Sequence, residues 1–264
     1  MDTLTLGKHN PRLADIRRAI NGDTLTEDGL LPVEGPKLIR EAQSSGLNVT
    51  ALLVRSDVEL SGALSEMGTK TPIYILDQPA FRKIQTTESS QGVIALVKAA
   101  PANLSDIVSQ SAKGPIVVLA RLQDPGNAGT IIRVAESFGA CGCVALTGTV
   151  GIYNSKVVRA SAGSVFRLPC VWNVELEEVT SALRTAGVSL IGTSPHATET
   201  IGEWNWRTRS AILIGNEGRG LGSEDLQPCD KVLKIPLCAP VQSLNSAIAA
   251  SVILYESFRQ RGHS

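Results

Sequence analysis

The chain has 264 residues, room for one large domain or two modest ones and enough to bury a sizeable core. Hydrophobic residues make up 43% and charged residues 19%, which excludes a disordered chain. Lys plus Arg number 25 and Asp plus Glu also 25, so bulk electrostatic binding of nucleic acid is excluded, while a local basic patch is not. The opening residues carry no basic region followed by an apolar one, so a signal peptide is not expected. The longest apolar stretch, Leu244–Tyr255, is interrupted by Asn245 and serines and is too short and polar to span a bilayer. The chain therefore reads as a soluble, cytoplasmic protein without a membrane partner. Its five cysteines (141, 143, 170, 229 and 238) are an odd number and no disulfide framework. Cys141-Gly-Cys143 has no second ligand pair at metal spacing, so free thiols and no metal site are expected.

In chain order, Pro11–Asn21 carries Leu13, Ile16 and Ile20 at helical spacing. Leu30–Val33 and Ala51–Val54 read as strands, with a helix over Lys37–Ser45 stopped by Gly46. Pro72–Leu76 and Gly92–Val97 are two more strands rich in β-branched residues. These predict a small mixed α/β domain over residues 1–98 and a linker over 99–113. A second α/β domain is predicted over 114–264. In it, Ile116–Ala120 is a continuous apolar run, as a buried parallel strand requires. A helix over Thr130–Phe138, ended by Gly139, leads to a strand at Cys143–Thr147. Then come a helix at Leu176–Thr185, strands at Ser189–Thr193, Ser210–Ile214 and Lys231–Ile235, and a closing helix at Asn245–Arg259. Strands alternating with helices argue a parallel sheet.

Ligands bind at the carboxyl ends of such strands, and three segments there have unusual composition. The first is Gln123-Asp-Pro-Gly-Asn-Ala-Gly129 with Arg133 beyond it. It reads either as an ordinary turn with an exposed Arg or as a tight loop and helix start that hold an anion. The second, Gly215-Asn-Glu-Gly-Arg-Gly-Leu-Gly222, has four glycines in eight residues and suggests backbone packed against a ligand. No Gly-Lys-Ser/Thr follows, and the glycine spacing is not the dinucleotide fingerprint. The third, Ile235 to Asn245, runs into the last helix, which Ser243 or Asn245 can cap. No Gly-x-Ser-x-Gly elbow is present, and the three His sit in polar, terminal or loop contexts, which disfavours a Ser-His-Asp set.

These three segments, in this order, resemble the three motifs of the SpoU (TrmH-like) branch of the SPOUT RNA methyltransferases. Asn127, Gly129 and Arg133 match the first, Gly215, Glu217 and Gly220 the second. Ile235, Pro236, Ser243, Leu244 and Asn245 match the third, and Arg159-Ala-Ser-Ala-Gly163 matches a segment between the first two. Val33-Glu-Gly-Pro-Lys37 and the strand ending at Val97 resemble the L30e-like substrate-binding domain of such enzymes. The one departure is Ala120-Arg121-Leu122, where an Asp often stands.

The resemblance implies a parallel-sheet domain with a deep C-terminal trefoil knot, working as a homodimer in which Asn245–Arg259 is a dimer element. It implies S-adenosyl-L-methionine as cofactor, held near Thr193, Gly215, Asn216, Gly220, Ile235 and Leu244. The implied reaction is methyl transfer to a ribose 2′-hydroxyl, in ribosomal RNA ahead of transfer RNA; the alternative is a non-catalytic RNA-binding protein of the same fold. Arg133 would hold phosphate and ribose and stabilise the developing alkoxide, since a guanidinium almost never gives up its proton. Asn127 would orient Arg133 or the ribose, Glu217 the cofactor-side loop, and Ser243 and Asn245 would bind ribose or cofactor polar groups. For RNA contact, Arg121, Arg133, Lys156, Arg159 and Arg167 are opposed between residues 121 and 167 by Asp124 and Glu136 alone. Aromatic residues are 4%, so base stacking is a minor part of recognition.

Overall fold

The structure is a computed structural model that describes residues 3–5, 10–59, 71–99, 101–216 and 218–262. The described residues divide into two compact units. One holds the residues up to 99 together with Gly151–Phe166; the other holds Pro101–Val150 and the residues from Arg167 onward.

The first unit is built on a five-stranded mixed sheet in the order β1-β4-β3-β5-β2. Its strands are β1 (Thr3–Thr5), β2 (Leu30–Glu34), β3 (Val49–Arg55), β4 (Ile73–Leu76) and β5 (Val93–Lys98). Alternate residues of β2, β3 and β5 serve opposite faces, as the pleat dictates. Leu31, Val33, Leu52, Val54, Val93, Ala95 and Val97 belong to one buried cluster with Ile39 and Ala42 of helix α2 (Pro36–Ser44). Leu30, Ala51, Leu53, Ile94 and Leu96 belong to another, with Leu13 and Ile16 of α1 (Pro11–Asn21) and Phe81 of α3 (Gln78–Phe81). Both faces are covered, which is why these strands read as continuous apolar runs.

The second unit is a six-stranded sheet, β11-β9-β10-β6-β7-β8, in which every pair is parallel. Its strands are β6 (Ile116–Leu119), β7 (Gly142–Leu146), β8 (Cys170–Val174), β9 (Ser189–Thr193), β10 (Ser210–Ile214) and β11 (Lys231–Leu233). Helices α4 (Leu104–Ser109) and α7 (Leu176–Thr185) cover one face through Ile107, Val108, Val179 and Leu183. Helices α5 (Pro125–Ser137) and α9 (Ser246–Gln260) pack on each other. They bury Ile131, Ile132, Ala135, Ala250, Ile253 and Leu254, and the Phe138 ring meets those of Tyr255 and Phe258, both at 5.7 Å. The predicted α/β class and parallel sheet are observed.

Beyond short elements such as β1 and α3, which were not anticipated, three differ from the sequence reading. Gln123–Gly129, read as a loop, already contains the start of α5 at Pro125. Glycine and proline signal a turn, but Asp124 caps this helix and Pro fits its first position, where no N–H is required. β8 was not anticipated, because it is a half-exposed edge strand whose Asn173 adopts φ 64° at a register shift. The segment between β7 and β8 packs with the first unit. It forms α6 (Ser155–Ala160), puts Val158 into that unit's core, and Asn154 donates to both carboxylate oxygens of Asp23 at 3.0 and 2.9 Å.

Candidate active site

Strand order reverses direction between β10 and β6. The chain leaving β6 goes on to β7 on one side, and the chain leaving β10 goes to β11 beyond β9 on the other. The two connections diverge, which opens a crevice at the carboxyl ends of those strands, the place where open parallel sheets bind ligands. The first motif segment leaves β6 and the second leaves β10 here; the third leaves the edge strand β11.

In the first, Asp124 Oδ1 accepts the Asn127 N–H at 2.7 Å and fixes the opening turn of α5. The Asn127 side-chain oxygen then accepts from Asn245 Nδ2 at 3.1 Å, a bond spanning 118 residues that ties the first motif to the third. Asn245 is at the same time the N-cap of α9, its Oδ1 accepting from Ala247 N at 2.9 Å and Ile248 N at 3.3 Å. Arg133 lies farther along α5, exposed, and its guanidinium makes no hydrogen bond or ion pair with the described residues. Five donors are thus available to an anion or a ribose. Ser243 is exposed in the loop before α9.

In the second motif the chain doubles back tightly. A Cβ on Gly215 would lie 2.5 Å from the carbonyl carbon of Gly220 and 2.7 Å from Leu221 N, so only glycine permits this closure. Gly220 itself has φ 64°, a conformation that glycine adopts freely. Asn216 donates to the Arg121 carbonyl at 2.9 Å, and its Oδ1 accepts from Gly218 N at 2.9 Å. Glu217, expected in the catalytic set, lies outside the described residues.

Thr193 closes β9 beside Leu233 of β11, and its hydroxyl donates to the Leu213 carbonyl at 3.4 Å. Gly215, Ile235 and Leu244 are half-buried, and among the described residues their backbone groups form no hydrogen bonds. Their amides and carbonyls match the edge donors and acceptors of a nucleobase, so the residues present fit an adenosyl group.

The four residues expected to contact RNA separate. Arg121 pairs with the buried Asp225 of α8 (Ser223–Leu226), and Arg167 pairs through two nitrogens with Glu136 at 2.5 and 2.9 Å. Both belong to the second unit. Lys156 and Arg159 belong to the first, Lys156 exposed and Arg159 donating to Thr86 Oγ1 at 2.9 Å. Thr86 N in turn donates to Glu34 at 2.6 Å and Thr87 Oγ1 to the other Glu34 oxygen at 3.0 Å, so the Glu34-Gly35 segment organises this turn. Asp124 and Asp225 were missed by sequence reasoning. Asp-Pro ahead of an apolar period was a legible cap signal; Asp225 carried none, because its partner is 104 residues away.

The comparisons with known proteins decide the family. Residues 114–255 match the model of the SpoU rRNA Methylase family, and residues 26–95 match the MRM3-like substrate binding domain. The chain belongs to the SpoU rRNA methylase family. That family is one of S-adenosylmethionine-dependent RNA methyltransferases. A 23S rRNA (uridine(2479)-2′-O)-methyltransferase of Streptomyces viridochromogenes is 33% identical over 250 residues, 91% of this chain and 86% of that one. An uncharacterized tRNA/rRNA methyltransferase of Synechocystis is 32% identical, covering 96% of this chain and 92% of that one. Among solved structures, the SpoU methyltransferase AviRb of Streptomyces viridochromogenes in complex with AdoMet superposes with TM-score 0.84 at 31% identity. It covers 96% of this chain and 98% of that one.

Proposed function

We propose that this protein transfers a methyl group from S-adenosyl-L-methionine to a ribose 2′-hydroxyl of RNA, with ribosomal RNA as its substrate. The observation that carries this reading is the Asn127–Asn245 bond, which brings the first and third motifs together beside an uncommitted Arg133. The relatives named as ribose methyltransferases of 23S rRNA in Streptomyces viridochromogenes and Bacillus subtilis support the substrate class.

The cofactor's sulfonium supplies an already activated methyl group, so the protein's own task is alignment and charge stabilisation. Unpaired backbone groups of Gly215, Ile235 and Leu244 would hold the adenosyl moiety, with Thr193, Asn216 and Gly220 shaping the cradle. The Arg133 fork would grip a phosphate and lie along the developing alkoxide, stabilising negative charge without giving up a proton. Asn127 and Asn245, locked to each other, would orient the ribose from the opposite side, with Ser243 adding a hydroxyl and Glu217 the second motif's carboxylate. Lys156, Arg159 and Arg167 would supply positive potential.

The same reading includes a trefoil-knotted C-terminal segment and a homodimer. Ile248 and Tyr255, 54% and 53% exposed and seven residues apart on α9, mark the face a second copy would cover. No helix among the described residues is long and apolar enough to cross a membrane, and an rRNA substrate supports a cytoplasmic location.

Calorimetry with S-adenosylmethionine, followed by transfer of labelled methyl to separate pools of unmodified ribosomal and transfer RNA, tests the proposal. Label should enter the ribosomal pool and fall about 10²–10³-fold in Arg133→Ala, the cost of losing one oxyanion-type donor. Label in transfer RNA alone would reassign the substrate. RNA binding without cofactor binding would leave only the non-catalytic reading.

A further inference from the structure

Arg121 stands just beyond β6 with φ 54°, a left-handed conformation that side-chain-bearing residues adopt rarely. Such backbone persists where its surroundings hold it in place, and Arg121 is held at both its carbonyl and its guanidinium. The Arg121 carbonyl accepts from Asn216 Nδ2 at 2.9 Å. The Arg121 guanidinium pairs with Asp225, which is 2% exposed, and lies 3.8 Å from Glu224. The second Asp225 oxygen accepts from Gly222 N at 3.0 Å. One residue after β6 therefore grips the glycine-rich segment at both ends, through Asn216 at its start and through Asp225 and Gly222 at its close. Gly148, with φ 87°, lies against the arginine stem.

Removing the partner of a buried carboxylate is costly, so the Arg121–Asp225 pair holds the arginine to this segment. We infer that Arg121, with Asp225 and Asn216, is a positioning set that holds the glycine-rich segment closed as the wall of the cofactor site. Arg121 acts through that segment and not by contacting RNA. This inference rests on the cofactor reading above and changes the role that the sequence suggested for Arg121. The first motif's loop and the second motif's loop are thereby one mechanical unit, and cofactor affinity depends on a side chain that need not touch the cofactor.

The test compares Arg121→Met, Arg121→Lys, Asp225→Asn and the double variant Arg121→Met/Asp225→Asn in the full chain. Arg121→Met should raise the Kd and KM for S-adenosylmethionine about tenfold, within the range of coupled side-chain pairs, with the KM for RNA unchanged. Asp225→Asn should do the same, the double variant should cost no more than either single one, and Arg121→Lys should recover part of the loss. Backbone hydrogen exchange over residues 215–222, read on the ligand-free protein, should quicken in Arg121→Met. A rise confined to the RNA KM, or exchange that does not change, overturns the clamp. Where Asp225→Asn fails to fold, Arg121→Met and Asn216→Ala decide by the same two readouts. If the unaltered protein binds no S-adenosylmethionine, the proposed function falls, and the exchange measurement still decides whether Arg121 holds the segment shut.

Discussion

All five cysteines are free thiols, but their surroundings set them apart. Burial pushes the Cys141 thiol up to about 11, and burial followed by the nearby Asp230 and Asp225 pushes Cys229 up to about 12. Cys143 is also raised, first by its hydrogen bond with Cys170 on the neighbouring strand and then by burial. A raised pKa leaves less thiolate at a given pH, and thiolate is the reactive form. Cys238 is the exposed one and lies in the loop of the third motif. Iodoacetamide at pH 8 should therefore alkylate Cys238 first, and S-adenosylmethionine should slow that reaction; peptide mass mapping reads both. Modification of Cys229 at an equal rate would contradict the burial that raises its pKa.

At the scale of elements, α9 illustrates how one residue serves structure and site together. Asn245 caps the helix with its oxygen and reaches Asn127 with its nitrogen. Asn245→Ser keeps a capping oxygen but is too short to reach α5, whereas Asn245→Ala loses both. Urea unfolding should show Asn245→Ala less stable by about 1 kcal/mol and Asn245→Ser nearly unchanged. Methyl transfer should fall in both. Equal activity of Asn245→Ser and the unaltered protein would make the Asn127 bond incidental. Elements with strong local signals were legible in the sequence: the runs at 116–119 and 210–214 are buried on both sides, and α1 runs from Pro11 to Asn21 as its apolar spacing predicts. What escaped were features set by distant partners or by competing signals. Asp225 is explained by Arg121, and the Pro-Gly pair at 125–126 disguised a capped helix start. The third motif's loop was legible by resemblance, while its union with the first through Asn127 needed coordinates.

For the whole molecule, the chain passes between the two units three times, after residues 100, 150 and 166. Because Gly151–Phe166 belongs to the first unit's packing, through Val158, Asn154 and Arg159, a single cut near residue 100 does not free that unit. A protease site placed at residues 99–103 should yield two fragments that co-elute on gel filtration under native conditions and separate in denaturant. Release of a free N-terminal fragment would contradict the packing of 151–166. Apolar exposure on α9 argues at the same scale. If the proposed dimer forms through this face, the unaltered protein should be a dimer and Tyr255→Glu a monomer by light scattering, with transfer abolished and the fold kept by circular dichroism. A balanced net charge, 25 basic against 25 acidic residues, means that RNA affinity depends on local placement of arginine and lysine and not on overall attraction.

On the proposed function, the methyl group goes to a ribose hydroxyl. Ribosomal RNA labelled by the protein with radioactive S-adenosylmethionine, then hydrolysed in alkali, tests it most directly, because a 2′-O-methyl group removes the nucleophile that alkali needs to cut the neighbouring linkage. Label recovered in an alkali-resistant dinucleotide is the expected result. Label recovered in mononucleotides would place the methyl on a base and contradict the account.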